Sequence, residues 1–166
     1  MPHPPESIEI LARALILRDG SVLLCRNLEH GYFYLPGGHV EPGETAAEAC
    51  RRELQEELGL KSRMGECRLI AEQRFEQGGK ARHEISLVFH VEHLGDSGSD
   101  QPQQGGAGET GIPAGTVIES AEDHIGFEWV RIAELPETDL RPAIIRDWIA
   151  GAEPTGGVRF VSHSES

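Results

Sequence analysis

The sequence predicts an α/β sandwich, and three observations support that fold class. Short apolar segments of β-favouring residues occur before residue 36 and again after residue 67. Two other segments, residues 45–59 and 139–150, have the spacing and the end signals of helices. The 166 residues suffice for one domain with a substantial buried core. Strands that alternate with two helices favour packed layers of both kinds.

The first strands are expected before residue 36. Residues 8–17 are apolar and β-favouring, and Asp19-Gly20 is a strong hairpin signal before a second strand at residues 21–26. A short strand at residues 32–35 then leads into two turn-rich segments, Leu35-Pro36-Gly37-Gly38 and Glu41-Pro42-Gly43-Glu44. Glycines in such turns let the backbone approach a ligand closely.

The first helix is expected to begin beside Thr45. This residue can cap the helix, and Glu48 three residues later completes a capping box. Gly59 supplies the C-terminal stop. One stripe of the helix is suited to packing on the core, and it contains Ala47, Cys50, Leu54 and Leu58. Another side is expected to face solvent with Glu48, Arg51 and Gln55.

The second half of the chain is expected to add three strands and a helix. Residues 68–77 and 83–94 are predicted strands joined through Gly78-Gly79-Lys80, and residues 127–132 form another. The second helix is predicted over residues 139–150, with Asp139 as its cap and Pro142 in its first turn.

The chain is expected to form a single domain over residues 1–166. Residues 1–7 are interpreted as a flexible arm, and residues 95–116, rich in Gly, Pro, Ser and Gln, as a flexible insertion between strands. Residues 151–166 are interpreted as a tail. Within the tail, residues 158–161 are expected to add an edge strand or to pack against a partner chain.

Composition limits the classes of partner. Hydrophobic residues make up 38% of the chain and charged residues 26%, as in soluble globular proteins. No apolar run approaches the length of a membrane span, and the first residues lack the pattern of a secretory signal, so the cytoplasm is the expected location. The net charge of −13 argues against a nucleic-acid polymer or an acidic membrane as partner, because both attract Lys and Arg. A small phosphate substrate stays compatible, since a bound cation inverts the local charge.

The cysteines and histidines do not indicate a catalytic thiol or a zinc site. The three cysteines, Cys25, Cys50 and Cys67, are widely spaced and are interpreted as structural thiols. His90 and His93 are three apart in a predicted strand and therefore point to opposite faces. The sequence also lacks the glycine-rich P-loop that would bind nucleotide phosphates.

Three glutamates of the first helix share one face. Glu53, Glu56 and Glu57 stand at positions i, i+3 and i+4, so their carboxylates repel one another unless a positive charge neutralises them. Carboxylate oxygens are the preferred ligands of hard divalent cations. This face therefore predicts a site for Mg2+ or Mn2+.

The residues from Gly38 to Leu60 also match a known motif. Gly38 is followed by Glu44, then by Arg52-Glu53-Leu54, Glu56-Glu57 and Gly59-Leu60, which is the pattern G-x5-E-x7-R-E-U-x-E-E-x-G-U with U apolar. On these residues the chain resembles the Nudix hydrolases. The resemblance implies a Nudix-type α/β/α sandwich with a mixed β-sheet and a loop-helix-loop catalytic motif.

The resemblance assigns roles to the residues of the motif. It implies that Glu53, Glu56 and Glu57 hold one or more Mg2+ or Mn2+ ions, joined by the carbonyl of Gly37, and that Glu53 accepts the proton of the attacking water. Arg52 and Glu44 complete the catalytic group, because charge-assisted bonds from them would hold the glutamates in position.

Residues outside the helix are expected to contact the substrate. Arg26 ends the strand before the motif, where related proteins often place an arginine on a phosphate, and a surface arginine is the alternative. Of the aromatic residues Tyr32, Phe33 and Tyr34, strand periodicity places at least one in the core, and Tyr34 is expected to offer its ring to the base. Gly38 is expected to bring its backbone close to the ligand. Some relatives take their base from a loop, and here either Glu122 or Asp123 is preferred to Glu119. A solvated acidic loop is the alternative.

The predicted function is hydrolysis of a pyrophosphate bond in a nucleoside diphosphate linked to another group. Sequence marks of the subgroups that act on ADP-ribose, diadenosine polyphosphates, NADH and coenzyme A are absent, which leaves a nucleoside triphosphate, including an oxidised one, as the expected small-molecule substrate. The alternative is a non-catalytic module that binds a nucleotide or a protein partner as a sensor. A homodimer is expected by analogy alone.

Overall fold

The computed structural model describes residues 5, 7–95, 117–120, 123–151 and 157–164. Most of the expected arm at residues 1–7 lies outside these ranges, as do Glu122, the expected insertion apart from Gly95, and part of the expected tail. No helix in the described ranges is long and apolar enough to cross a membrane.

Nine strands, two α-helices and one 3-10 helix make up the described part of the chain. Before the first helix lie β1 (Glu9–Leu15), β2 (Leu17–Arg18), β3 (Ser21–Asn27), β4 (Phe33–Tyr34) and β5 (Gly37–His39). The helix α1 (Ala46–Leu58) is followed by β6 (Lys61–Gln77), β7 (Lys80–Gly95) and β8 (Ile125–Arg131). The chain then forms a 3-10 helix (Ile132–Glu137), α2 (Ala143–Gly151) and β9 (Arg159–Ser164).

The strands form two sheets, one of them mixed. The larger sheet has the order β5-β1-β7-β6-β9, in which β1 runs parallel to β7 and β9 runs parallel to β6. The other two pairings of that sheet are antiparallel. In the smaller sheet β3 pairs antiparallel with β2, β4 and β8.

The strands lie between the two helices. Along β1 the side chain of Ala14 joins the apolar cluster beneath α1, whereas its neighbour Leu15 joins the cluster beneath α2. In β3 the side chains of Leu23 and Leu24 divide in the same way. Because successive side chains of a strand point to opposite faces, each of these two strands contributes to both clusters. The predicted α/β/α sandwich with a mixed sheet is confirmed.

The predicted strands are all present, although several boundaries differ. The expected strand at residues 8–17 divides into β1 and β2, and the two long strands around the 78–80 turn begin earlier than expected, at Lys61 and Lys80. Ile132 belongs to the 3-10 helix, not to β8, because that helix brings Leu135 into the core. Residues 159–164 pair with β6, so the expected edge strand in the tail is confirmed.

The predicted cap of the second helix is wrong. The helix begins at Ala143, and the carboxylate of Asp139 instead accepts two hydrogen bonds from Arg141, at 3.0 and 2.8 Å. The reason lies in Leu140, which bridges to Phe33 and is buried in the core, so that the chain there is extended. Pro142 stands immediately before the helix, and its carbonyl accepts the first bonds from Ile145 and Arg146.

Candidate active site

The loop before α1 is fixed against β1. Gly37 pairs with Arg13 in an antiparallel ladder, and the amide of Ala14 donates to the carbonyl of Pro36 at 2.8 Å. Gly37 has φ of +122°, and a β-carbon there would lie 2.1 Å from the carbonyl oxygen of Ala12. Only glycine permits this backbone conformation and this close approach. These contacts fix the position of Gly37 beside β1, and so the start of the loop that leads to α1.

The start of α1 has the predicted capping box. The amide of Glu48 donates to the Thr45 hydroxyl at 3.3 Å, and the Glu48 carboxylate accepts from the Thr45 amide at 2.7 Å. The hydrogen bond from that amide, assisted by one from the Thr45 hydroxyl, lowers the pKa of Glu48. At the other end Gly59 adopts the left-handed conformation, with φ of 68°, and its amide bonds to Gln55. Both predicted helix ends are confirmed.

The three glutamates differ in exposure, which the helical spacing did not predict. Glu56 is exposed and Glu53 is half-buried, but only 5% of Glu57 is accessible to solvent. The Glu57 carboxylate accepts a hydrogen bond of 3.1 Å from the amide of Gly37. The row of carboxylates therefore runs from solvent towards the core.

The packing stripe of α1 is shifted from the expected one. Cys50, Leu54 and Leu58 are buried as predicted, but Ala49 is buried and Ala47 is half-exposed. The side that faces the core is thus the one that also carries Glu57. The prediction that Glu48, Arg51 and Gln55 face solvent is confirmed.

Arg52 links the glutamates to the preceding loop. Its guanidinium donates to both carboxylate oxygens of Glu44, at 3.2 and 2.8 Å, and to Glu53 at 2.9 Å. It also reaches the carbonyl of His39 at 3.1 Å and lies 3.4 Å from the nearer oxygen of Glu56. The hydrogen bond from Arg52 and one from the Glu41 amide lower the pKa of Glu44. Bonds to Glu44 in turn raise the pKa of Arg52, so this arginine stays charged.

Gly38 leaves room for the carboxylate of Glu53. A β-carbon at residue 38 would lie 2.5 Å from two atoms of that carboxylate, which is closer than non-bonded atoms approach. The structure therefore brings Gly38 into contact with Glu53, and a side chain at this position would displace the Glu53 carboxylate.

The donor set fits a divalent cation by its chemistry. Glu53, Glu56 and Glu57 bring carboxylate oxygens to one end of the helix, and Mg2+ and Mn2+ prefer such oxygens. Across the described residues, however, no group of three His, Cys, Asp or Glu side chains is arranged so that it could hold a metal ion together. Arg52 supplies the neutralising charge between Glu53 and Glu56, and the Gly37 carbonyl accepts a bond of 2.7 Å from Arg13.

Arg26 and Tyr34 lie outside the glutamate row. Arg26 is half-exposed, forms a long ion pair of 3.7 Å with Glu128 and stands over the Phe33 ring at 5.7 Å. The Tyr34 ring is 6.0 Å from that of Tyr32. Burial raises the pKa of Tyr34, and the nearby Cys25 and Glu57 add to the effect, so the phenol stays protonated.

The described part of the acidic loop before β8, residues 117–120 and 123–124, contains two of the three loop carboxylates. Asp123 and Glu119 are both exposed, and in the described ranges neither forms a hydrogen bond or an ion pair with a residue of the 38–60 motif. The other preferred candidate, Glu122, lies outside the described residues.

The cysteines are placed as structural residues. Cys25 and Cys50 are buried and Cys67 is half-buried, and none of the three forms a disulfide within the part of the chain that the structure describes. Burial raises the pKa of Cys50 to about 12, so its thiol is protonated at neutral pH.

Arg13 is a residue of this site that the sequence interpretation missed. Its Nη1 atom donates to the carbonyls of Leu35 and Gly37, at 3.2 and 2.7 Å, and its guanidinium stands 5.7 Å from the centre of the Tyr34 ring. The available signal was a single charge in the middle of an otherwise apolar strand segment, Leu11-Ala12-Arg13-Ala14-Leu15.

Comparison with known proteins gives a family match over most of the chain. A family model for the NUDIX domain matches residues 9–150. CTP pyrophosphohydrolase of Escherichia coli K12 is 37% identical over 93 residues, which cover 54% of this chain and 63% of that protein. Nucleoside triphosphatase NudI of Salmonella heidelberg is 50% identical over 50 residues, which cover 27% of this chain and 36% of that protein. The chain thus spans less than two thirds of the length of these curated relatives.

Solved structures share the fold. The MutT protein of Methanosarcina mazei superposes with a TM-score of 0.62 at 26% identity, and the match covers 90% of this chain and 94% of the other. A mutator MutT protein of Bacillus halodurans gives a TM-score of 0.66 at 18% identity, covering 94% of this chain and 89% of the other. At the latter identity the likeness concerns the fold alone.

Proposed function

The chain belongs to the NUDIX domain family, and we propose that it hydrolyses the pyrophosphate bond of a nucleoside triphosphate with the help of a divalent metal ion. The observation that carries this proposal is that Arg52 is bonded to both Glu44 and Glu53. Glu53 is the first glutamate of the row that continues with Glu56 and Glu57 on α1. The names of two relatives, a CTP pyrophosphohydrolase and a nucleoside triphosphatase, support a nucleoside triphosphate as substrate.

Hydrolysis of such a bond requires three changes. The oxygen of water bonds to a phosphorus atom, the bridging P–O bond breaks, and the water loses a proton. Glu53 is the proposed acceptor of that proton. Arg52 donates to Oε1 of Glu53, and this bond holds the carboxylate in one orientation. The proton of the water is therefore assigned to the other oxygen, Oε2.

The metal is assigned to Glu53, Glu56 and Glu57. The carbonyl of Gly37 is a further oxygen, because its two lone pairs allow it to accept from Arg13 and to bind a cation. When bound, a divalent ion would neutralise phosphate charge and lower the pKa of a bound water. Arg52 lies 3.4 Å or more from the Glu56 oxygens, a long contact, whereas its bonds to Glu44 and Glu53 are shorter. The contact between Arg52 and Glu56 is therefore the weakest of the three, and it is the one most easily replaced by a bond from Glu56 to a metal ion. Glu44 keeps the arginine in place.

The substrate contacts are assigned to Arg26, to Tyr34 and to the backbone of Gly38. An exposed ion pair as long as that between Arg26 and Glu128 contributes little, so the guanidinium is available to a phosphate. The paired rings of Tyr32 and Tyr34 offer an aromatic surface for a base. Asp123 is kept as a candidate loop carboxylate, and its replacement by Asn tests that role.

The decisive experiment is a substrate panel with purified protein and Mg2+. It should contain canonical and oxidised nucleoside triphosphates, ADP-ribose, nucleotide sugars, dinucleoside polyphosphates, NADH and coenzyme A, with products resolved by chromatography. Glu57→Gln tests the site, and Glu76→Gln, which changes an exposed glutamate on β6, is the matched control. We expect a nucleoside monophosphate and pyrophosphate from the native protein and from the control, but not from Glu57→Gln.

Two results would change the proposal. Turnover that is equal in Glu57→Gln and the native protein would remove the glutamates from the reaction. Absence of turnover with every substrate, while one nucleotide still raises the melting temperature, would favour the alternative of a non-catalytic binding module.

We also propose that the protein acts in the cytoplasm as a homodimer. The exposed strand β9, in which 62% of Phe160 is accessible, is compatible with a contact between copies. Light scattering of the full chain after gel filtration tests the dimer, and a monomer at micromolar concentration would contradict it.

A further inference from the structure

Arg13 is a charged side chain in the middle of an apolar strand. Its neighbours along β1, Ala12 and Ala14, are fully buried, and Arg13 itself is half-buried. A buried or half-buried charge is costly unless its donors are paired. Here Nη1 donates to two backbone carbonyls, those of Leu35 and Gly37, which are two residues apart in the loop before α1.

Gly37 is held at both of its polar backbone atoms. Its carbonyl accepts the 2.7 Å bond from Arg13, and its amide donates the 3.1 Å bond to the Glu57 carboxylate. Its backbone is also paired with β1, so close to it that a β-carbon at this position would lie 2.1 Å from the carbonyl oxygen of Ala12. Gly37 thus joins Arg13 to Glu57 through two hydrogen bonds of its backbone.

Arg13 and Glu57 also act on the same neighbours with opposite sign. The charge of Glu57 contributes to raising the pKa values of both Tyr34 and Cys50, whereas the charge of Arg13 opposes that rise at both residues. Both charges therefore lie near Tyr34 and Cys50, and each is hydrogen-bonded to the backbone of Gly37.

We propose that Arg13 is a positioning residue that fixes Gly37 and, through the Gly37 amide, the carboxylate of Glu57. Its effect on turnover rests on the function proposed above, but its effect on the geometry does not. Both bonds come from Nη1 of a guanidinium that stands 5.7 Å from the centre of the Tyr34 ring. A lysine lacks this planar, delocalised group and ends at a different reach, so it would hold the two carbonyls less firmly. Arg13 makes no contact with the reacting atoms in this proposal.

The amide resonance of Gly37 reports on this arrangement directly. In protein labelled with 15N, Glu57→Gln should shift the resonance, because the charged acceptor of the amide is replaced by a neutral one. Arg13→Lys should move the resonance towards that of an unbonded amide and speed its hydrogen exchange at least about tenfold, because the loop is no longer held. Arg63→Lys, which alters an exposed arginine paired with Glu92 on β6 and β7, should leave the resonance unchanged.

Kinetics separate positioning from substrate binding. In Arg13→Lys we expect kcat to fall about 10- to 100-fold, the loss typical of a residue that orients a ligand of the metal, with KM within about twofold and a higher Mg2+ concentration for half-maximal rate. A rise in KM at unchanged kcat would mean that Arg13 binds substrate, and would overturn the proposal. So would a lower melting temperature with no change in kcat or in the Gly37 resonance.

The proposal stays testable if activity or folding fails. When the native protein turns over no nucleotide, the proposed function is lost, yet the Gly37 resonance in Arg13→Lys still decides the role of Arg13. When Arg13→Lys does not fold, the side-chain resonances of Arg13 in the native protein decide it. Slow exchange of its Nη protons is the expected result, and free rotation of the guanidinium would overturn the proposal.

Discussion

Arg52 and Glu44 are joined by two hydrogen bonds, from Nε to Oε2 at 3.2 Å and from Nη2 to Oε1 at 2.8 Å. This two-pronged contact ties the helix to the loop before it, because Glu44 precedes α1 and Arg52 lies in its second turn. The same guanidinium contacts Glu53 and the carbonyl of His39. The orientation of Glu53 therefore depends on a residue outside the helix.

We expect Glu44→Gln and Arg52→Lys each to lower kcat by about 10- to 100-fold, as is typical when a partner that orients a metal ligand is changed. Glu44→Gln replaces one of the two accepting oxygens with an amide nitrogen that donates, and lysine lacks the planar fork that makes both bonds. Steady-state kinetics with saturating Mg2+ measure the loss.

Arg51→Lys is the matched control for Arg52→Lys, since Arg51 is the neighbouring arginine on the solvent side of α1. It should keep the native rate. Equal rates in Arg51→Lys and Arg52→Lys would show that the bonds to Glu44 do not matter for turnover.

Gly38→Ala tests the room around Glu53. The new β-carbon would lie 2.5 Å from the carboxylate, and that carboxylate is the end of a flexible side chain that can move. We therefore expect a folded protein whose turnover falls at least about tenfold, the lower end of the loss typical when the orientation of a metal ligand is disturbed. Gly151→Ala, with no atom near the added carbon, is the control for the substitution itself. A native rate in Gly38→Ala would contradict the contact.

The features that the sequence predicted correctly depend on neighbours within a few residues. Thr45 and Glu48 form the capping box three residues apart, and Gly59 ends the same helix, so the chemistry of each was present in a short segment. The helical period likewise put Glu53, Glu56 and Glu57 on one side. Such local rules do not state which side faces the core.

The features that the sequence did not predict depend on contacts between distant segments. Glu57 is buried on the core side of α1, where the Gly37 amide, 20 residues earlier, donates to its carboxylate. Arg13 enters the site through a carbonyl 24 residues away, and that contact exists only after β1 and β5 pair. Asp139 was expected to cap a helix, but burial of Leu140 against Phe33 keeps the chain extended there.

Leu54→Ala tests how much the packing of α1 on the core contributes to stability. Leu54 is fully buried on α1, in the cluster that includes Ile16 and Leu23. Removal of its side chain should lower the free energy of unfolding by about 2–5 kcal/mol, as for other buried leucines. Urea denaturation measures the change. Gln55 follows Leu54 and is exposed, so it is the control. The free energy of unfolding of Gln55→Ala should lie within about 0.5 kcal/mol of that of the native protein.

The capping box should make part of the stability depend on pH. Hydrogen bonds from the Thr45 amide, and then from its hydroxyl, lower the pKa of Glu48 below its ordinary value of 4.5. A carboxyl group with a lowered pKa stabilises the folded state fully above its unfolded pKa, and this contribution is lost as the pH falls through the folded pKa. The window therefore lies below about pH 4.5.

Thr45→Ala removes the hydroxyl that accepts from the Glu48 amide and donates to the Glu48 carboxylate. At about pH 6 the loss of the cap should lower the free energy of unfolding by about 1 kcal/mol. The free energies of unfolding of Thr45→Ala and of the native protein should approach each other as the pH falls from about 4.5 towards about 3. Protonation of Glu48 removes the charge that strengthens its hydrogen bond with the Thr45 hydroxyl. Urea denaturation at a series of pH values measures both free energies. In protein that also carries Glu48→Gln, Thr45→Ala should lower the free energy of unfolding by the same amount at every pH. A smaller loss at low pH in that protein would assign the pH dependence to another carboxylate.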